Sequence, residues 1–112
     1  MIYEFKTYRA TPGSIAALIK RFHEKTMPIF ARLGIEVQYC WTSDDEPDAF
    51  FYLVRYASDE ARKTASSAFA SDPEWKAIKA ASEVNGPLLA SQATVVLKPT
   101  AFSPAAFLSR GK

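Results

Sequence analysis

The run of residues AFFYLVRYA, from Ala49 to Ala57, constrains the fold of this chain more than any other segment. Apolar side chains occupy both alternating sets of positions in it, which is typical of a strand that is buried on both faces. Such a strand needs a layer of helices against one face and a second apolar layer against the other. We therefore expect a central strand here, with the rest of the chain arranged around it.

Three further segments have strand character. Residues 2–8 alternate between two faces, and residues 35–42 do the same. In the second of these, the alternation predicts that Ile35, Val37, Tyr39 and Trp41 share one face. The polar residues 43–48 form a turn that joins this strand to the apolar run as a hairpin. Residues 88–98 form the last strand, which ends at Pro99.

Helical periodicity fills the gaps between the strands. Residues 12–33 carry an apolar stripe that Thr26 interrupts, and Pro28 removes a backbone hydrogen bond toward Glu24. The sequence therefore predicts a helix that is kinked or loosened near Pro28. Two further helices are expected over residues 59–71 and from residue 73 onward, with Ser58 and Asp72 as their N-caps.

This order of elements predicts an α+β fold, a ferredoxin-like βαββαβ sandwich. Its four-stranded antiparallel sheet would have the first and third strands at the centre and all helices on one face. Residues 1–99 would form the single domain, and residues 100–112 a tail packed on the domain or on its partner. Because the other face of the sheet would be a large apolar patch, we expect a homodimer formed through that open face.

Composition narrows the class of protein. The 112 residues carry a net charge of +2 with no basic cluster, so we expect no nucleic-acid partner. No apolar run approaches the roughly 20 residues of a membrane span, and no secretory signal pattern opens the chain. The single Cys40 allows no internal disulfide, and a cytoplasmic location is the expectation. No phosphate loop, HExxH or calcium-loop pattern occurs, so neither a cofactor nor a metal is predicted.

An ordered set of short motifs resembles the NIPSNAP family over roughly residues 1–105. The motifs are MIYEFKTYRATPG, Met27-Pro28-Ile29, Tyr39-Cys40-Trp41, Tyr56-Ala57-Ser58, Asp72-Pro73-Glu74-Trp75 and the tail Pro99…Phe102-Ser103-Pro104. The resemblance implies a dimeric α–β barrel, in which two ferredoxin-like sheets join into one barrel. It supplies no catalytic residue set. Related members of that superfamily include cofactor-free monooxygenases, haem-degrading monooxygenases, muconolactone isomerases and stress-responsive proteins.

Two residues of the first helix are candidates for chemistry. His23, the only histidine, could act as an acid/base or as an axial ligand at the edge of a cleft, or it could be an ordinary boundary histidine. Thr26 could line a cavity between helix and sheet, or its hydroxyl could bond back to the carbonyl of Phe22. His23 is the best catalytic candidate, and Thr26 is a candidate ligand-binding residue.

Further candidates lie on the strands and the last helix. Arg55 cannot lose its proton, so in a buried position it needs a carboxylate, for which Glu4 is the expected partner, or a bound anion. Tyr39, Trp41 and Trp75 could bind a planar organic ligand, or they could be core and interface residues.

Two functions remain open at this point. The first is a homodimeric small-molecule-binding or stress-associated module, favoured by the lack of a catalytic constellation. The alternative is a cofactor-free or haem-dependent monooxygenase or isomerase that acts on a hydrophobic or aromatic small molecule in the helix–sheet cleft.

Overall fold

A four-stranded antiparallel sheet forms the centre of the structure, a computed structural model that describes residues 1–104. The strands are β1 (Ile2–Ala10), β2 (Glu36–Thr42), β3 (Ala49–Tyr56) and β4 (Leu89–Leu97). They lie in the order β2-β3-β1-β4, so β3, which contains the apolar run, and β1 are central. The predicted ferredoxin-like α+β fold is confirmed.

The helices all pack against one face of this sheet. They are α1 (Ile15–Arg21), a π-helical turn (Phe22–Thr26), α2 (Met27–Arg32), α3 (Asp59–Ser71) and α4 (Pro73–Ser82). The first three follow one another without a break. The predicted caps are present, since Ser58 accepts a hydrogen bond from the backbone of Ala61 and Asp72 accepts one from that of Trp75, each at 3.0 Å. None of the described helices is long and apolar enough to cross a membrane.

The π turn is the form taken by the irregularity predicted near Pro28. The amide of Met27 donates to the carbonyl of Phe22, five residues earlier, which widens the helix by one residue. Because Pro28 has no amide hydrogen, it cannot extend a regular ladder through this point. The wider turn directs both Phe22 and Thr26 toward the sheet, where they are buried.

A bulge in β2 changes which residues of that strand share a face. Val37 lies opposite Val54, but Tyr39 lies opposite Leu53, so β2 contains one extra residue at this point. Since opposed residues share a face, Val37 faces the helices whereas Tyr39 and Trp41 face the other way. The prediction that Val37, Tyr39 and Trp41 share a face is therefore wrong, because the extra residue inverts the alternation.

The two faces of the sheet have different surroundings. On the helix-covered face, Phe22, Phe30, Phe50 and Tyr52 belong to one buried aromatic cluster. The opposite face, here called the open face, carries no helix in the described structure and presents these residues: Tyr3, Phe5, Phe51, Leu53, Trp41, Val95 and Leu97. The tail residues Ser103 and Pro104 lie near Tyr3 at one edge of it. Residues 105–112, the rest of the expected tail, lie outside the described residues.

Candidate ligand-binding cleft

A cleft of about 560 Å³ lies between the helix-covered face of the sheet and the helices. Its floor is buried and consists of Tyr52 and Val54 from β3 together with Phe22 from the π turn. Its mouth is more exposed and includes Trp75 and Lys79 of α4. This volume falls within the range of about 300–1,000 Å³ that is usual for small-molecule sites.

Two tyrosine hydroxyls meet inside the cleft. The hydroxyl oxygens of Tyr8, on β1, and Tyr52, on β3, lie 2.7 Å apart and share a hydrogen bond. Burial raises the pKa of Tyr8, and it raises the pKa of Tyr52 well above its ordinary value. Both side chains are therefore neutral at pH 7. Since one hydroxyl donates to the other, the pair retains one O–H that can donate to a bound molecule.

A buried ion pair borders the cleft near Tyr56, the last residue of β3. The carboxylate of Glu4 is almost fully buried and accepts a hydrogen bond from Arg62 Nη1 at 3.1 Å. Arg62 is itself held by Asp59, whose Oδ1 accepts from its Nε at 2.9 Å. Nearby, burial and the charge of Glu4 raise the pKa of Tyr56 to about 12. The negative charge of Glu4 is thus balanced by the guanidinium of Arg62, which lies on α3.

A second ion pair lies where α1 meets α4. Arg21 is buried and donates through Nη1 to Glu83 at 2.8 Å and to Ser82 at 3.0 Å. Burial raises the pKa of Glu83, but hydrogen bonds from Arg21 and Lys79 outweigh it and lower that pKa overall. The guanidinium carbon of Arg21 also lies 5.1 Å from the ring centroid of Trp75, within cation–π range.

Thr26 lies in the cleft with its hydroxyl available. The side chain is buried and lines the cavity, but its hydroxyl makes no hydrogen bond with any residue in the range 1–104. The back-bond to the carbonyl of Phe22, the alternative considered for this residue, is not formed. The hydroxyl can therefore bond to a molecule in the cleft.

The site residues predicted from the sequence lie in three different parts of the structure. Thr26 and Trp75 line the cleft. Tyr39, Trp41 and Arg55 lie on the open face, on the other side of the sheet. His23 is exposed and is not among the residues that line the cleft.

The expected ion pair between Arg55 and Glu4 is not formed. Arg55 pairs instead with Glu36 of β2, and Glu4 pairs with Arg62. The reason is the register of the sheet, in which Glu4 lies opposite Val54 while Arg55 lies opposite Tyr3. Neighbouring positions in a strand point to opposite faces, so Glu4 and Arg55 have the sheet between them.

Three residues that line the cleft are not among the site residues predicted from the sequence: Tyr8, Arg21 and Tyr52. Arg62, which pairs with Glu4 of the cleft lining, is not among them either. One signal was present, because Glu4, Lys6 and Tyr8 place three polar side chains on a single face of a central strand. A polar row of this kind beneath helices is unusual, since such a face is normally apolar. Residues 1–104 contain no group of three or more His, Cys, Asp or Glu side chains that could hold a metal ion.

The fold and the cleft together define an α+β protein of the ferredoxin-like class with a ligand-sized cavity between sheet and helices. The chain belongs to the NIPSNAP family, whose family model matches residues 3–104. The sequence resemblance to that family is confirmed. None of the curated proteins compared with the chain matches it.

Solved structures of similar proteins agree with this assignment. An uncharacterized NIPSNAP domain protein from Burkholderia xenovorans is 28% identical, with a TM-score of 0.78, and the match covers 93% of this chain and 99% of that one. A NIPSNAP family protein from Agrobacterium tumefaciens is 27% identical, with a TM-score of 0.79 and coverage of 92% and 96%. A putative antibiotic biosynthesis monooxygenase from Chloroflexus aurantiacus is 23% identical, with a TM-score of 0.58 and coverage of 93% of this chain and 98% of that one. At this identity the two proteins are similar in fold alone.

Proposed function

We propose that this protein is a homodimeric small-molecule-binding module whose ligand occupies the cleft between sheet and helices. The observation that carries the proposal is the composition of that cavity. Aromatic rings of Phe22 and Tyr52 form the floor, and the hydroxyls of Tyr8 and Thr26 offer a few placed polar groups. An apolar cavity with a small number of convergent polar groups is the usual design of a ligand site.

Binding is favoured over catalysis by the state of the polar groups. Tyr8 and Tyr52 have raised pKa values and cannot act as bases at neutral pH. Glu4 is held by Arg62 in an ion pair. His23, on which the haem-dependent alternative rested, is exposed on the helix surface away from the cleft lining.

The homodimer is proposed from the chemistry of the open face. Trp41, Val95 and Leu97 are each at least 41% exposed there, although they are large apolar side chains. Arg55 and Glu36 neutralise each other on the same face. A second copy of the chain would therefore meet this face without like-charge repulsion and would cover its apolar residues.

Fluorescence of phenylnaphthylamine, a neutral aromatic probe, tests the binding site. We expect the wild-type protein to bind the probe and Ala70→Trp, which fills the cleft from α3, to lose most of that binding. Ala80→Trp, at an exposed position of α4 outside the cleft lining, is the matched control and should bind as the wild type does. Absence of binding, or equal binding by both variants, would overturn the proposal.

Sedimentation equilibrium tests the dimer. Val95→Lys places a charge on the open face, and we expect it to weaken the dimer at least about 10-fold. Val84→Lys changes an apolar residue that is 78% exposed away from the sheet, and it should leave the dimer intact. A monomeric wild-type protein at micromolar concentration would contradict the homodimer.

A further inference from the structure

Lys6 differs from the other cations around the cleft in having no carboxylate partner within the described part of the chain. Arg21 and Lys79 both lie within ion-pair distance of Glu83, at 2.8 and 3.1 Å. Arg62 lies 3.1 Å from Glu4. Lys6 Nζ instead donates to the uncharged hydroxyl of Thr94 at 2.9 Å.

The position of Lys6 is unusual for a solvated lysine. It lies in the middle of β1, a central strand, and its side chain is half-buried on the face that the helices cover. A lysine seldom occupies such a position without a partner of opposite charge. Glu4 is on the same face two residues earlier, but its carboxylate is already held by Arg62.

Lys6 shares the cleft with an aromatic surface on the neighbouring strand. Lys6 lies directly opposite Tyr52 in the pairing of β1 with β3, and both line the cleft. The ring of Tyr52 lies 4.6 Å from that of Phe22 between centroids, and its hydroxyl bonds to that of Tyr8. One cation, one available O–H and two packed rings are thus exposed to the same cavity.

We propose that the cleft takes an amphipathic organic anion, whose carboxylate or sulfonate group pairs with Lys6 and whose apolar body packs on Phe22 and Tyr52. This inference rests on the proposed function, since it names the class of ligand for the same site. Among the residues that line the cleft, the three cations Lys6, Arg21 and Lys79 face two carboxylates, those of Glu4 and Glu83, and Glu4 is also paired with Arg62. An anion therefore meets an excess of positive charge, whereas a cationic ligand would meet carboxylates that are already paired.

Two related probes separate the charge from the apolar body. Anilinonaphthalene sulfonate is anionic, and phenylnaphthylamine is its neutral counterpart without the sulfonate. We expect Lys6→Met to weaken binding of the sulfonate by about 10-fold, the size expected for losing a hydrogen bond to a charged group, and to leave the neutral probe unchanged. Lys6→Arg, which keeps the charge, should restore most of the sulfonate affinity.

Matched controls distinguish the cleft from other apolar surface. Lys76→Met removes a lysine from an exposed position of α4 outside the cleft lining, so it should change binding of neither probe. Ala70→Trp should abolish sulfonate binding if that binding occurs in the cleft. Thermal unfolding of each variant, followed by circular dichroism, verifies that the binding comparison is made on folded protein.

The outcomes test the anion inference and the proposed binding site separately. If the neutral probe binds in a way that Ala70→Trp blocks, but Lys6→Met leaves sulfonate affinity unchanged, the anion inference is wrong and the proposed binding site stands. If neither probe responds to Ala70→Trp, the binding site itself is wrong. Selective loss of sulfonate affinity in Lys6→Met, with rescue by Lys6→Arg, supports both the anion inference and the proposed binding site.

Discussion

The hydroxyl oxygens of Tyr8 and Tyr52, two residues that line the cleft, lie 2.7 Å apart and share a hydrogen bond. They come from the two central strands, at positions that are not directly opposed, since Tyr8 lies opposite Phe50 and Tyr52 opposite Lys6. The diagonal contact joins β1 to β3 by a side-chain hydrogen bond in addition to the backbone ladder.

This bond should be measurable as a coupling between the two residues. Tyr52→Phe and Tyr8→Phe each remove one partner, and each should lower the free energy of unfolding by about 1 kcal/mol because the remaining hydroxyl loses its bond. The double variant should lose less than the sum, with a coupling of about 0.5–1 kcal/mol. Urea unfolding of the four proteins measures this cycle, and strictly additive losses would contradict the bond.

Alkaline pH should destabilise the protein through its buried tyrosines. The pKa of Tyr56 is raised from 10.0 to about 12, so above pH 10 the unfolded chain loses this proton before the folded protein does. The folded state then binds more protons than the unfolded state, and stability falls as pH rises from about 10 to about 12. Tyr56→Phe should make this fall less steep in urea titrations at a series of pH values. An unchanged pH dependence would contradict the raised pKa.

Removing Arg62 should leave a buried charge without compensation. Arg62→Met strands the carboxylate of Glu4, and we expect a loss of about 2 kcal/mol or more in the free energy of unfolding. Adding Glu4→Gln should recover part of the loss, because the amide carries no charge. The control is Arg9→Met, which breaks an exposed pair with Glu46 and should cost less than about 1 kcal/mol. Equal losses for Arg62→Met and Arg9→Met would show that burial of Glu4 has no energetic consequence.

Thr26→Val should affect binding rather than stability. The two side chains have nearly the same shape, and the Thr26 hydroxyl bonds to no described residue, so the free energy of unfolding should stay the same or rise. Ser58→Ala is the contrast, since it removes a helix cap and should cost about 1 kcal/mol. Chemical denaturation of both variants measures the difference. A loss in Thr26→Val as large as that in Ser58→Ala would contradict the available hydroxyl.

Sequence periodicity was sufficient to predict the sheet and its order. The apolar run from Ala49 and the alternation in residues 2–8 depend only on which side chains recur every second position, and local patterns carry that information. Capping residues such as Ser58 and Asp72 likewise predicted the starts of α3 and α4, because the cap bonds are made within a few residues.

The candidate site was less predictable because it depends on register. One extra residue in β2 placed Tyr39 and Trp41 on the open face, and nothing within the strand itself signals that bulge. The pairing of Glu4 with Arg62, rather than with Arg55, follows from which face each residue occupies in the assembled sheet. The polar row on β1 was visible in the sequence, but its meaning required knowing which face the helices cover.

The position at which an apolar probe binds tests most directly whether the cleft is the ligand-binding site. Amide chemical shifts of the isotope-labelled protein, titrated with phenylnaphthylamine, report which residues change environment. We predict that the largest shifts fall at Thr26, Ser66 and Tyr52, which line the cleft. Shifts concentrated instead at Trp41 and Val95 of the open face would contradict the cleft as the ligand-binding site.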